Sequence, residues 1–334
     1  MAFADFPRID DFGDAEAEAR ACRDDCALFD FSFLECARIE GAAAGQLIEA
    51  FTGRALTAMG IGQIYYALRV DAAGAIVADL TVWRTGAQSF DVMSGRREDI
   101  ADLKRQAHSN AEVTDTGKDM AVLAVQGPNA LAALGRLGDT SRIGSLNYFG
   151  FVDAELNGIA CRLARLGYTG EAGFEIVLPR ASAIDFWKIL SQHARPAGFI
   201  AADMLRIEAG FVLFCNEFRL PVSPREAGLA KFHQTADFTP PELTLISFRA
   251  DATALPLPWQ PSGILHRPVA AGEIVVTSAC RSNAAGGILG LGYVRSETGS
   301  AARCHDCSGT FHDVRRAPLP FYDTGKRRPR AAWR

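Results

Sequence analysis

Short gaps between apolar strands constrain this chain more than any other feature of its sequence. Residues 64–70 and 75–83 both read as strands, and only Asp71-Ala72-Ala73-Gly74 separates them. A gap of that length ending in glycine closes a hairpin, whereas a parallel crossover needs about a dozen residues or more. The texture returns at 159–166 and 173–178, two apolar strands around a glycine-rich turn. Helices alternate with these regions. One that follows a strand near 90–93 puts Ile100, Leu103 and Ala107 on one face, and one over 183–194 takes Ile184, Trp187 and Leu190 as its buried stripe. Asp14 caps a first helix, with Glu16 and Glu18 in its first turn and Arg20 and Arg23 later, that is expected to end near Leu28. Further strands near 35–39, 90–93 and 121–125, with helices over 42–51 and from Pro128, complete two α+β units. Strict βαβ alternation is absent, which argues against one doubly wound sheet.

Beyond residue 215 the pattern changes. Leu220-Pro221-Val222-Ser223-Pro224, Pro240-Pro241, Pro256, Pro258 and Pro261 interrupt any helix. Short apolar runs at 243–248, 273–277 and 288–294 then alternate with glycine-rich turns, the signature of a small all-β domain, sheet or barrel.

Charge and composition exclude several partner classes. With 35 Lys and Arg against 39 Asp and Glu, the net charge of -4 offers no domain-wide attraction for nucleic acid or an anionic membrane. The longest apolar run, Ala284 to Val294, is too short to span a bilayer and holds four glycines. No basic and apolar leader opens the chain, so a cytoplasmic address is expected. Charge is uneven: residues 1–40 carry eleven acidic and four basic side chains, and residues 303–334 carry eight basic and three acidic. Solvated faces, and a solvated tail at Lys326-Arg327-Arg328-Pro329-Arg330, are the simplest expectation. The eight cysteines lack the density of a disulfide scaffold and read as reduced thiols. Cys304 and Cys307 have C-x-x-C spacing without a second pair, so no metal site is expected.

Two carboxylates stand inside strands, where acids are disfavoured. If Val70 faces Ala75, then Leu68 faces Val77 and Tyr66 faces Asp79, so a phenol meets a carboxylate on one side of the hairpin. Ile76, Ala78, Leu80 and Val82 take the other side as core. Asp79 is thus either satisfied by local donors or held for chemistry. The second acid follows Gly167-Tyr168-Thr169-Gly170-Glu171-Ala172-Gly173. Phe174, Ile176 and Leu178 share one face of that strand, and Glu175 and Val177 share the other. A carboxylate accepts two parallel N–H bonds, the arrangement an aminopyrimidine edge such as a pterin offers, and Tyr168 suits packing against such a ring. An ordinary glycine hairpin is the plainer reading.

The string from Gly167 to Glu175 resembles the signature of the glycine cleavage T-protein family, tetrahydrofolate-dependent aminomethyltransferases. Leu28-Phe29-Asp30 with Ser32, Ile76-Val77-Ala78-Asp79-Leu80, Gln126-Gly127-Pro128, Leu205-Arg206-Ile207-Glu208-Ala209-Gly210 and Ile274-Val275-Val276-Thr277-Ser278 are also similar and keep the family's order. The resemblance implies an α+β fold in which two α+β units enclose a folate cleft and a C-terminal β-barrel-like domain follows. The corresponding division is 1–40 with 112–215, then 41–111, a linker at 216–242, and 243–334. It places the family's catalytic aspartate on Asp79 and its folate contacts on Tyr66, Tyr168 and Glu175, with Ser94 where the family has an asparagine. The implied reaction passes an aminomethyl group from the lipoyl arm of a carrier protein to tetrahydrofolate. Asp79 would position the folate amine and stabilise charge developing there.

Departures fall on the rim. The family's ligand-contacting arginine becomes Ala202, its tryptophan becomes Lys231, its His-Met pair becomes Phe33-Leu34, and the first of its paired aspartates becomes Ala78. The sequence reading is therefore a folate-dependent one-carbon transferase whose donor is a lipoyl carrier or another one-carbon donor enzyme. The alternatives are a non-catalytic folate-binding protein, acting as a sensor or iron–sulfur assembly factor, and a folate-dependent demethylase. The iron–sulfur branch's hallmark stretch is absent, with Thr235 to Glu242 in its place.

Overall fold

The computed structural model describes residues 8–234, 240–250, 269–295, 301–305, 310–331 and 333. Pro256, Pro258, Pro261, Cys307 and Thr235 to Thr239 lie outside them. In chain order the strands are β1 (Ala27–Asp30), β2 (Glu35–Glu40), β3 (Ile64–Val70), β4 (Ile76–Gly86), β5 (Ser89–Ser94), β6 (Glu112–Asp115), β7 (Met120–Gln126) and β8 (Phe151–Leu156). They continue with β9 (Ile159–Ala164), β10 (Gly173–Pro179), β11 (Arg195–Pro196), β12 (Leu243–Ala250), β13 (Val275–Arg281), β14 (Ile288–Arg295), β15 (Ala301–His305) and β16 (Phe311–Arg316). They build three sheets, ordered β11-β1-β7-β10-β9-β8, β3-β4-β5-β2-β6 and β13-β14-β12-β16-β15. The fold is α+β, as expected.

Local chemistry explains the first elements. Asp14 accepts a bond from the Ala17 amide and starts helix Ala15–Asp24. That helix stops four residues earlier than Leu28, because Ala27–Asp30 is a buried strand antiparallel to β7. The β3–β4 turn is organised by Asp71, whose carboxylate accepts from the Ala73 and Ala75 amides at 2.9 Å each, while Gly74 takes φ 83°.

Each sheet covers its core with one face. On the β3-containing sheet Leu80, Val82, Phe90 and Val92 pack beneath helices Ala44–Thr52 and Arg97–Gln106 through Leu47, Ile48, Phe51, Ile100 and Leu103. On the β10-containing sheet Leu123, Val125, Phe174, Ile176 and Leu178 meet Phe186 and Leu190 of helix Arg180–Leu190. Ile184, expected in that stripe, is 69% exposed; Phe186 and Leu190, one turn apart, supply the inward face instead.

The chain divides into two compact units. One comprises Met1–Ala67, Ala78–Ala202 and Arg327–Arg334, and holds the first two of these sheets apart from the tip of the β3–β4 hairpin. Within it the sheets are joined by Gln63 pairing with Gly150, by Trp83 against Phe151 at 5.4 Å between ring centroids, and by Asp91. Asp91 takes Arg38 at 2.9 Å from its own sheet and Arg162 at 2.5 Å from the other. The second unit, Leu68–Val77 with Asp203–Lys326, holds the five-stranded β12–β16 sheet. No closed barrel forms among the described strands, although Glu273 bridges to Arg303. Arg206, fully buried there, binds Asp203 at 2.8 Å, Glu217 at 3.0 Å and Ser278 at 2.6 Å, which ties two of the family-like segments into one polar network.

One charge expectation changes. The basic tail is not wholly solvated: Arg328 binds Glu171 and Pro329 is buried. The seven described cysteines form no disulfide with one another, and Cys304 is buried in β15.

Candidate functional site

The Tyr66 hydroxyl donates to Asp79 at 2.8 Å, the adjacency that the hairpin register predicts. Strand alternation sets Asp79 apart from the core. Ile76, Ala78, Leu80 and Val82 are buried on one face, and Val77, Asp79 and Thr81 are half-buried on the other, which Trp83 shares. Ser94 pairs with Leu80 and so sits on the core face. Its hydroxyl donates to Asp99 at 2.5 Å and accepts from the Arg96 amide at 3.1 Å, bonds that fasten the start of helix Arg97–Gln106. The structure therefore brings Tyr66 and Asp79 together and parts Ser94 from them.

Glu175 stands in a row across the other sheet of the same unit. The registers align Phe29, Ala124, Glu175, Ala164 and Phe151 on successive strands. Alanine on either side leaves space beside the carboxylate, and the aromatic rings bound the row. This row lies on the face away from Phe174, Ile176 and Leu178. Phe151 of the row touches Trp83, and Arg162, on the same face of β9, binds Asp91. The Glu175 face and the Asp79 face are thus the surfaces by which these two sheets look at each other.

Glu175 is 8% exposed, and its side chain has no hydrogen bond or ion pair among the described residues. Burial alone pushes its carboxyl up to about 7. Nearby, burial raises the Tyr148 hydroxyl, with Arg330, Glu175 and Arg165 acting on it electrostatically. Arg165 donates to the Leu146 and Ala331 carbonyls, and its buried Nε has no partner among the described residues. Phe149 holds φ 65°, a region bulky residues avoid, between backbone bonds to Ile64 and Arg165.

The loop leading to Glu175 is clamped by Gln126. Its side-chain amide donates to the Leu166 and Phe174 carbonyls at 3.0 and 3.3 Å, and its oxygen accepts from the Thr169 hydroxyl at 3.1 Å. A Cβ on Gly167 would lie 1.9 Å from the Gln126 Oε1, so only glycine fits. Tyr168 is half-buried within this loop. Gln126, Tyr148, Arg165 and Arg328 were not among the residues that sequence singled out for the site. For Gln126 the Gln-Gly-Pro string before a helix was a usable signal; for Tyr148, the only trace was its place between an apolar helix and a strand. Ala202 is buried in helix Phe199–Ala209, and Lys231 is in the turn Ala230–Phe232. A cavity of about 430 Å³ is lined by Phe29, at the end of the Glu175 row, and by Phe31, Trp187 and Phe199; none of the five candidate residues borders it.

Among the described residues no cluster of His, Cys, Asp and Glu is suited to a metal, and no helix is long and apolar enough to cross a membrane. The family model described as the GCVT N-terminal domain matches residues 3–236. An aminomethyltransferase of Saccharopolyspora erythraea is 32% identical over 93% of this chain and 90% of its own length. One from Rubrobacter xylanophilus is 30% identical over 92% and 86%. The crystal structure of glycine cleavage system aminomethyltransferase T from Bartonella henselae superposes with a TM-score of 0.81, covering 97% of this chain and 94% of that one at 23% identity, a likeness of fold.

Proposed function

The chain belongs to the GCVT family of aminomethyltransferases, and from that premise we propose that it binds tetrahydrofolate between the Asp79 and Glu175 faces and acts as a one-carbon transferase. The observation that carries this reading is Glu175: a buried carboxylate without a partner, flanked by alanines. A pterin edge fits it, because two parallel N–H donors would satisfy both oxygens at once and repay the cost of burying the charge. Bound tetrahydrofolate supplies the nucleophilic amine that accepts the one-carbon unit. The protein's part is to hold and orient it: Glu175 fixes the ring edge, and Tyr168 in the clamped loop lies beside it. Asp79, oriented by the Tyr66 hydroxyl, faces the amine and stabilises positive charge there. An aminomethyl group on a lipoyl carrier is the donor that the family likeness favours, released with loss of ammonia. Ser94, on the core face, serves this site by supporting β5.

Titration calorimetry with tetrahydrofolate tests the reading. Wild-type protein is expected to bind, Glu175→Ala to lose binding, and Asp79→Asn to retain most affinity while losing transfer from an aminomethyl carrier. Absence of binding by the wild type, or undiminished binding by Glu175→Ala, sinks the pterin assignment. A non-catalytic folate-binding protein would show binding but no transfer even in the wild type.

A further inference from the structure

The end of the chain docks beside the candidate site. Arg328–Arg330 form one 3-10 turn in the same unit as Asp79 and Glu175. Arg328 Nε lies 2.8 and 2.7 Å from the two oxygens of Glu171, and its terminal nitrogen donates to the Arg23 carbonyl at 2.6 Å. Two residues on, the Arg330 guanidinium stands 5.5 Å from the centre of the Tyr148 ring. Trp333 then stacks on Phe174 with 4.7 Å between centroids, donates to the Gly144 carbonyl at 3.2 Å and carries Arg165 over its ring at 4.8 Å.

These contacts fall on the loop and strand that carry Tyr168 and Glu175, and on Tyr148. Glu171 belongs to the loop that holds Tyr168, and Phe174 is the residue before Glu175. Tyr148 is the hydroxyl that Glu175 and Arg330 both act on electrostatically. Glu171 is only 3% exposed, so its charge must be met within the protein. Arg23 reaches Oε1 at 2.6 Å, while Arg328 reaches both oxygens. Without Arg328 the second oxygen loses its charged partner, and the loop must shift to hydrate it.

We propose that the C-terminal turn positions the ligand-binding face, Arg328 by fixing the loop that carries Tyr168 and Arg330 by fixing Tyr148. The proposal rests on the tetrahydrofolate reading for its ligand but not for the loop itself. Both residues are positioning residues; neither need touch the ligand.

Full-length variants decide it, by hydrogen exchange over residues 167–173 without ligand and by calorimetry with tetrahydrofolate. Arg328→Ala is expected to speed exchange in that loop and to weaken binding about tenfold. Arg328→Lys is expected to regain most of the affinity, because its ammonium returns a charge to Glu171; a loss from general loosening would not be rescued so. Arg330→Gln is expected to weaken binding without altering exchange in the loop, and it decides the matter if Arg328→Ala does not fold. Wild-type binding with unchanged affinity and unchanged exchange in these variants overturns the proposal. If the wild type binds no tetrahydrofolate, the functional reading fails, and the exchange measurement alone still upholds or overturns the role of Arg328.

Discussion

Glu175 combines burial with the lack of a partner, and that combination has a cost which depends on pH. Its folded carboxyl titrates near 7 against an ordinary value of 4.5, because burial penalises the charged form. A raised carboxyl leaves stability intact below the ordinary value and removes it as pH rises through the folded one. Wild-type protein is therefore expected to lose roughly 3 kcal/mol relative to Glu175→Gln as pH climbs across this window, read from urea unfolding at each pH. Equal pH profiles for the two proteins would show that Glu175 is solvated or paired. Ligand affinity should move the other way. Two N–H donors need the ionised carboxylate, so tetrahydrofolate binding is expected to strengthen about tenfold from about pH 6 to about pH 8.

Among the elements, the loop before β10 depends on glycine for close approach, whereas a helical glycine elsewhere does not. A methyl group at Gly167 would collide with Gln126, whose side chain satisfies Leu166, Thr169 and Phe174 together. Gly167→Ala is expected to cost about 2–4 kcal/mol in denaturant unfolding, since the displaced amide is fully buried. Gly45, in helix Ala44–Thr52, has only the Phe90 ring near, at 3.8 Å. Gly45→Ala is expected to stabilise by about 0.5–1 kcal/mol by restricting the unfolded chain. The opposite signs follow from what each Cβ would meet. Were both substitutions neutral, the clamp around Gln126 would have to be looser than its bond lengths indicate.

At the scale of the molecule, the candidate site exists because two sheets of one compact unit face each other, and Asp91 is the residue both hold. It is 14% exposed and paired with Arg38 and Arg162, and Arg162 also grips Asp153 at 2.7 Å. Removing the acid leaves the partly buried Arg162 with Asp153 alone and returns the exposed Arg38 to water. Asp91→Ala is expected to destabilise by about 2–3 kcal/mol, and a double-mutant cycle with Arg162→Ala to show coupling of about 1–2 kcal/mol. Strictly additive losses would mean that Trp83 against Phe151 and the Gln63–Gly150 pairing suffice to hold the seam.

What the sequence determined by itself was local. The gap at 71–74 could close only as a hairpin, and that register brought Tyr66 to Asp79. Period-two alternation assigned Ile76, Ala78, Leu80 and Val82 to core and put Glu175 on the face away from Phe174. Such readings succeed because chain connectivity limits neighbours in a strand pair to a few registers. Helix boundaries and faces were less legible: Ala27–Asp30 became strand through pairing with β7, and Phe186 displaced Ile184 from the core side. Only the tertiary structure set the Asp79 face opposite the Glu175 face, turned Ser94 to the core, gave Gln126 its clamp and brought Arg328 to Glu171. Those contacts join residues tens to hundreds of positions apart, and no local periodicity encodes them. They arise when sheets that have each covered one face with helices bury the other against one another.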